Sequence, residues 1–199
     1  MNIKKIYFAL VSIISVAMPA EANNHVFLML KAGASHYGSV YFGNLAGSGG
    51  DENWKIGPIV SFGAGMQTSN SFAVEFLLVY STHRFDFKQW YNSPINDPRM
   101  NIIDITSLGR YAFISFNGVR FEMIFGIGYS FQRKDELVRK YQEFPLYVVP
   151  KDSRSDVSGL FGGAVQIKLN DNIWIMGELN CRMRYYVTPV AEFGLAYFL

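Results

Sequence analysis

The feature that most constrains the fold is a strict alternation of apolar and other residues that returns in segment after segment. It is clearest in residues 119–131, where seven apolar side chains occupy every second position and Arg120, Glu122 and Gly126 lie among the residues between them. A period of two is typical of a β-strand with one apolar face. Eight segments have this pattern: residues 26–35, 54–66, 72–84, 102–116, 119–131, 157–169 and 173–185, and a terminal segment that starts at residue 192. We therefore expect an all-β protein.

The terminal segment adds a condition on how the strands are joined. Phe193, Leu195, Tyr197 and Leu199 alternate up to the last residue, whereas chain ends are usually polar and frayed unless other parts hold them. A strand that is ordered to its last residue needs both of its edges paired, and a closed barrel provides this pairing. The ending therefore predicts that the last strand closes the sheet.

The first 22 residues have the pattern of a secretory signal peptide. A basic start, MNIKK, precedes the apolar run IYFALVSIISVAM and the small-residue segment PAEA, which is the order found in such peptides. The apolar run is shorter than the roughly 20 residues of a membrane-spanning helix. We expect cleavage after Ala22, with cleavage after Ala20 as the alternative, and one domain over residues 23–199. Cys181 is the single cysteine, so this exported domain would contain no internal disulfide.

An exported chain of this composition has two usual architectures. Hydrophobic residues make up 50% of the sequence, and the formal net charge of +2 gives no indication of a nucleic-acid partner. The longest uncharged stretch of the mature chain, residues 56–74, is interrupted by glycine, proline and polar residues, so it is interpreted as two strands and a turn. Because only helices and closed barrels pair all their backbone groups in lipid, the chain is either a soluble β-sandwich or an outer-membrane β-barrel.

The lengths of the connections favour the barrel. Residues 67–71, 117–118 and 170–172 are short connections, and Asn117–Gly118 is the strongest hairpin signal in the chain. Residues 36–53, 86–101 and 132–156 are long and polar. Short turns at one rim and longer loops at the other are typical of bacterial outer-membrane barrels. We therefore predict an eight-stranded antiparallel up-and-down transmembrane β-barrel with three long extracellular loops. The apolar part of residues 132–156 is either a contact surface or a hairpin that extends above the membrane.

The polar faces of the strands predict a charged barrel interior. Side chains just fill the lumen of an eight-stranded barrel, and buried charges need partners of opposite sign. The predicted interior charge network consists of Lys31, Glu75, Arg110, Arg120, Glu122, Lys168, Glu178, Arg182, Arg184 and Glu192. Glycines on the same face, among them Gly126 and Gly194, would leave space for the long side chains. In the last hairpin, inward residues of one strand should lie opposite inward residues of the other. This condition predicts a register centred on Thr188, with Arg184 opposite Glu192.

Two segments, MIFGIGYSF and GGAVQIKLNDNIWIMGELNCRMRY, resemble the fifth to seventh strands of a known family. Its members are small outer-membrane barrels, namely the transmembrane domain of outer-membrane protein A and the opacity-type surface proteins. The resemblance implies a place in the outer membrane of a Gram-negative bacterium, in contact with lipid and lipopolysaccharide, after delivery by periplasmic chaperones and the barrel-assembly machinery. It also implies an assembly signal, formed here by Glu192, Gly194, Tyr197 and Leu199, although the usual final phenylalanine lies one position early, at Phe198.

The sequence contains no arrangement that indicates catalysis, a cofactor or a bound metal. Ser81 and His83 share a strand face, but their spacing of roughly 7 Å is too long for the nucleophile and base of a serine hydrolase. Five aspartates in or near the long loops lack the regular spacing of a calcium site: Asp97, Asp104, Asp135, Asp152 and Asp156. We expect a surface protein with a structural or adhesive role, which contacts host surface molecules through its long loops. The alternative is an enzyme that modifies lipid A, either an acyl hydrolase or an acyltransferase. A narrow channel is the third and least favoured interpretation, because side chains fill an eight-stranded lumen.

Overall fold

A closed barrel of eight strands makes up most of the computed structural model, which describes residues 25–37, 55–84, 98–139, 147–149, 151–183 and 187–199. The barrel strands are β1 (His25–Ser35), β2 (Gly57–Gln67), β3 (Phe72–Arg84), β4 (Arg99–Phe116), β5 (Val119–Lys134), β8 (Asp152–Lys168), β9 (Ile173–Met183) and β10 (Val187–Phe198). Two short strands, β6 (Leu137–Arg139) and β7 (Tyr147–Val149), pair with each other in the connection between β5 and β8. Within the described ranges, no helix is long and apolar enough to cross a membrane.

All neighbouring barrel strands are antiparallel, and the first strand pairs with the last. β1 contacts β10 from Phe27 opposite Phe198 to Ser35 opposite Val190. β5 pairs directly with β8 because the β6–β7 hairpin forms a separate small sheet. The barrel sheet therefore has no free edge. The predicted eight-stranded antiparallel fold, with a last strand that closes the sheet, is confirmed.

Exposure alternates along the strands as the sequence pattern predicts. In β5, Met123, Phe125 and Ile127 face outward, whereas Glu122 and Ile124 are buried in the lumen. The other barrel strands add outward leucine, isoleucine, valine and aromatic side chains to a wide apolar outer band. Soluble monomers rarely expose apolar patches of this extent, and an apolar band around a closed sheet is what a lipid environment requires.

The three short connections predicted above, near residues 67–71, 117–118 and 170–172, lie at the end of the barrel that also contains His25 and Leu199. Asn117 and Gly118 have φ angles of 47° and 78°, and two positive φ angles are what a tight two-residue hairpin between twisted strands needs. In the turn after β8, the side-chain oxygen of Asn170 accepts hydrogen bonds from the backbone N–H groups of Asn172 and Ile173 at 2.9 and 2.8 Å. These local interactions explain why the sequence alone locates the short turns.

At the other end of the barrel, three strands continue past the apolar pattern. β4 starts at Arg99 instead of residue 102, β5 ends at Lys134 instead of residue 131, and β8 starts at Asp152 instead of residue 157. The ladder between β5 and β8 continues to Lys134 opposite Asp152. Beyond the apolar band both faces of a sheet meet water, so hydrophobic alternation no longer marks the strand. In the described part of residues 132–156, the structure has the strand pairing of an extended hairpin, and a contact surface there stays a prediction.

Apolar side chains close the lumen at the turn end. The ring centroid of Phe198 lies 4.9 Å from that of Phe27 and 5.7 Å from that of Trp174. Met29 and Met176 belong to the same buried cluster. Phe198, which from the sequence is a displaced terminal aromatic residue, has an even position that places it on the inward face with Glu192 and Gly194. It forms part of the lumen floor.

We expect Phe125→Arg to lower the free energy of unfolding by about 2–4 kcal/mol, because it places a charge near the middle of the lipid-facing band. The measurement is urea unfolding of the refolded barrel in phospholipid vesicles, followed by tryptophan fluorescence. Phe125→Leu is the control and should change little. Equal stability of the arginine and leucine variants would show that this face does not contact lipid.

Two glycines provide a second test of the wall geometry. A Cβ at Gly126 would lie 2.5 Å from the carbonyl oxygen of Ser107 and 2.7 Å from Cβ of Leu108, whereas a Cβ at Gly177 meets no atom within 4 Å. Gly126→Ala should therefore destabilise the barrel by about 1–3 kcal/mol through overpacking, and Gly177→Ala should be neutral or slightly stabilising. Unfolding in vesicles measures both variants, and the reverse order would contradict the packing described at Gly126.

Candidate functional site in the barrel lumen

Arg110 on β4 is the centre of the charged lumen. Its guanidinium donates from Nε to Glu75 on β3, from Nη1 to Glu122 on β5 at 3.0 Å, and from Nη2 to Glu178 on β9. All four side chains are at most 5% exposed. A guanidinium carries five N–H donors in one plane, so it satisfies several carboxylates at once. One side chain thus connects four strands of the barrel.

Lys31 on β1 extends this cluster to a fifth strand. Its Nζ donates to both carboxylate oxygens of Glu178, at 3.0 and 3.1 Å. Its stem passes over Gly194 of β10, where a Cβ would lie 2.5 Å from Cγ of Lys31. Glu178 therefore accepts hydrogen bonds from cations on two other strands, and side chains cross the lumen at this height.

A second group of ion pairs lies on the side of the long connections. Nη1 of Arg182 donates to Asp104 on β4 at 3.0 Å, and Nη2 lies 3.7 Å from an oxygen of Glu192 on β10. The hydroxyl of Ser61 donates to the other oxygen of Glu192. Asp104 and Ser61 are not members of the predicted interior set, although both have inward parity. Asp104 is fully buried, so it does not belong to a loop.

The predicted register of the last hairpin is wrong. Glu192 lies opposite Glu178, and Val187 lies opposite Met183, so the register is centred on position 185 and not on Thr188. Both centres pair even-numbered positions with each other, and parity alone therefore could not distinguish them. The ionic partner of Glu192 is Arg182, whereas Arg184 lies outside the described residues.

Two further members of the predicted interior network lie at the turn end of the barrel. Arg120 is half-buried, with its guanidinium carbon 4.5 Å from the ring centroid of Trp174 and a hydrogen bond of 3.2 Å from Nη1 to Gln67. Lys168 is exposed and lies 2.7 Å from Asp171 in the adjoining turn. This hydrogen bond and the attraction between the charges lower the pKa of Asp171. A residue with inward parity at the end of a strand lies at the rim of the barrel and not inside the lumen. The assignment of Lys168 to the interior is therefore wrong.

A polar cluster around His83, which the sequence pattern does not indicate, lies below the long connections. Nε2 of His83 is 3.3 Å from the hydroxyl of Ser35 on β1, and Nδ1 is 3.4 Å from the carbonyl oxygen of Lys55. The ring of Tyr37 lies 5.8 Å from the imidazole, and its hydroxyl donates to Gln132 at 2.9 Å. Ser35 and His83 are 2% and 1% exposed. Ser35 lies opposite Gly57 of β2, and a Cβ at Gly57 would lie 2.9 Å from Nδ1 of His83. The two side chains therefore meet across β2, which pairs with both β1 and β3.

The remaining predicted site residues have ordinary places in the wall. Glu192 and Gly194 face the lumen, and Tyr197 and Leu199 face outward; their role as an assembly signal stays a prediction. In the part of the chain that the structure describes, no three histidine, cysteine, aspartate or glutamate side chains lie close enough together to hold a metal ion.

Comparison with known proteins identifies the fold. No protein-family model matches the sequence, and no curated protein matches it either. Among solved structures, the attachment invasion locus protein Ail of Yersinia pestis matches 88% of this chain and 98% of its own, with a TM-score of 0.53 and 12% identity. A major outer membrane protein of Thermus thermophilus matches 87% of this chain and 99% of its own, with a TM-score of 0.51 and 12% identity. The fold is that of the small outer-membrane β-barrels. At this identity the likeness concerns the fold alone.

We expect Arg110→Met to destabilise the barrel by about 3–5 kcal/mol, because it leaves buried carboxylates without their shared cation. Adding Glu75→Gln to this variant should recover part of the loss. Arg120→Met, which removes a half-buried guanidinium from the rim, is the control and should cost clearly less. Urea unfolding in vesicles measures all three variants. Similar losses for Arg110→Met and Arg120→Met would contradict a central role of Arg110.

Proposed function

We propose that the chain is an outer-membrane surface protein that acts through the sheet above the lipid band and through the adjoining connections. The observation that carries this proposal is the continuation of β4, β5 and β8 beyond the apolar pattern, up to Lys134 opposite Asp152. A spanning β-strand needs about 9–11 residues. Strands of 18, 16 and 17 residues therefore extend well outside the membrane on one side of the barrel.

The filled lumen supports a role at the surface over a role as a channel. Arg110 and Lys31 meet Glu178 across the lumen, and the aromatic contacts of Phe198 lie at the turn end. An ion that moved along the barrel axis would have to displace both the ion pairs of Glu178 and the aromatic side chains around Phe198. The burial of Ser35 and His83 inside the barrel disfavours a lipid A-modifying enzyme at this contact. An acyl chain in the membrane does not reach a hydroxyl inside the barrel.

An adhesive role on host surfaces is the finer part of the proposal. Ail, whose fold this chain shares, has been crystallised with sucrose octasulfate, a heparin analogue. The described residues near the long connections of this chain include Lys151 and Arg154, which are exposed. Exposed cations above the membrane are suited to anionic surface molecules. We further propose that residues 1–22 are removed as a signal peptide and that periplasmic chaperones and the barrel-assembly machinery insert residues 23–199.

Replacing residues 135–151 with Asn-Gly tests the adhesive role. The two residues would join Lys134 to Asp152 as a tight hairpin, so the barrel should fold while the segment above it is removed. We expect bacteria that express this variant to adhere to host-cell monolayers no better than bacteria without the protein, at equal amounts of folded barrel by heat-modifiable gel mobility.

The matched control is an insertion of Gly-Ser between Asp171 and Asn172, in a short turn at the opposite end of the barrel. It should leave adherence unchanged. If the Asn-Gly variant adheres as well as the natural chain, the segment above β5 and β8 is not the adhesive surface.

A further inference from the structure

The ladder between the first and last strands is incomplete at its outer end, which is the end opposite the short turns. The backbone N–H of His36 donates to the carbonyl oxygen of Pro189 at 3.0 Å. Two residues in such an antiparallel pair normally exchange two hydrogen bonds, but Pro189 has no N–H that could donate to the carbonyl of His36. Regular pairing between β1 and β10 accordingly ends one residue earlier, at Ser35 opposite Val190. The seam that closes the barrel is therefore weaker at this end.

A second proline borders the same part of the wall. Regular pairing between β2 and β3 starts at Ile59 opposite Ser81, and Pro58 is the residue just before Ile59. Between the two prolines, β1 and β2 stay paired with each other as far as Ser35 opposite Gly57. The outer ends of β1 and β2 thus form a two-stranded unit with a ladder defect on each side. We call residues 35–37 and 55–58 the flap.

Polar contacts hold the flap closed. On the β3 side, the backbone N–H of Lys55 donates to the carbonyl oxygen of Arg84 at 2.8 Å. The hydroxyl of Tyr37 donates to Gln132 on β5 at 2.9 Å, and the side chain of Tyr37 is only 4% exposed. Since β1 and β5 are not neighbours in the sheet, this hydrogen bond crosses the lumen. It connects the flap to the far wall of the barrel.

The lumen beside the flap contains buried polar atoms that have no hydrogen-bond partner. In the described ranges they include the hydroxyls of Thr106, Ser130 and Thr188, both amide atoms of Asn180 and Nε of Arg182. Val190 lies opposite Ser35 of the flap and also opposite Asn180 on β9, so this polar layer adjoins the flap. A buried polar atom without a partner raises the free energy of the closed form. Water reaches these atoms when the flap moves away, so hydration favours the open form.

We propose that the flap opens as a unit and admits water and small solutes to the outer half of the lumen. Local opening of this kind needs less free energy than global unfolding, and the two prolines reduce the number of ladder bonds that have to break. The inner half stays closed, because the ion pairs of Arg110 and the aromatic side chains around Phe198 are not part of the flap. The open form is a vestibule with a closed floor, and it does not depend on the adhesive role.

The test measures how fast a water-soluble methanethiosulfonate reagent modifies a cysteine below the flap. The probe is Ser130→Cys in a Cys181→Ser background, in the folded full-length mature barrel in detergent micelles. Ser130 is 0% exposed, so modification reports opening. One hydrogen bond contributes about fivefold to such an equilibrium. Tyr37→Phe, which removes the bond across the lumen, should speed modification about fivefold, and Pro189→Ala, which supplies the missing N–H, should slow it about fivefold.

Tyr80→Phe is the matched control for Tyr37→Phe. It removes an outward tyrosine hydroxyl that donates to Asn101 at 2.9 Å, and it should leave the rate unchanged. A cysteine in the inner half, Ile124→Cys, replaces a side chain that is also 0% exposed and should stay unmodified in every variant. Heat-modifiable gel mobility confirms that each variant is folded.

Thr188→Cys provides a second probe in the same layer and should respond to both flap substitutions as Ser130→Cys does. Modification of Ile124→Cys as fast as Ser130→Cys would assign the reaction to global unfolding and overturn the proposal. Equal rates in Tyr37→Phe and Tyr80→Phe, or a rate in Pro189→Ala that is not lower than in the unsubstituted flap, would overturn it as well. So would the absence of any modification at both Ser130→Cys and Thr188→Cys.

Discussion

The requirement that every backbone polar group in lipid be paired within the chain governs the rest of this structure. The ladder between β1 and β10 removes the two edges that eight strands would otherwise expose. With eight strands, closure also fixes a lumen that is only as wide as its side chains. Each inward residue therefore meets inward residues from other strands, and each inward charge has to find a partner among them. The apolar exterior, the missing edge and the interior ion pairs follow from this one constraint.

The ion pairs contribute more to the uniqueness of the fold than to its stability. Both partners of a buried pair lose water, so the net gain is small. Arg110, however, is satisfied only when β3, β5 and β9 present Glu75, Glu122 and Glu178 at its height. A slip of one residue in any of these strands would turn a carboxylate into lipid and an apolar residue into the lumen. We infer that this cluster fixes the register, while the apolar floor around Phe198 supplies the close packing at the turn end.

The sequence predicts those elements that a few neighbouring residues determine. It does not predict features that depend on how distant segments pair. Alternation identifies all eight barrel strands and both faces, and Asn117–Gly118 marks a tight turn, because these signals are contained in a few neighbouring residues. The predicted register of β9 and β10 was wrong because a hairpin centred on Thr188 and one centred on position 185 both pair even-numbered positions with each other. The contact between Glu178 and Arg110 depends on which strands face each other across the lumen, and this follows from the stagger of the closed sheet. Ser35 and His83 meet over Gly57 because β1 and β3 both pair with β2, and this depends on the registers of two strand pairs. The extended ends of β5 and β8 were missed because alternation is no longer required where water reaches both faces.

The extension above the membrane retains one consequence of strand geometry, namely that neighbouring residues point to opposite sides. On β4, β5 and β8 the odd-numbered positions continue the lipid-facing row, so Arg133 follows Phe131 and Arg99 precedes Ile103 by two outward steps. The even-numbered positions of these strands continue the lumen-facing row, where Asp152 and Arg154 pair with each other at 2.6 Å. The sheet above the apolar band therefore has two separate faces, one formed by the odd-numbered and one by the even-numbered positions. Because parity separates these two faces, a substitution at an odd-numbered position of the extension changes one face and leaves the other unchanged.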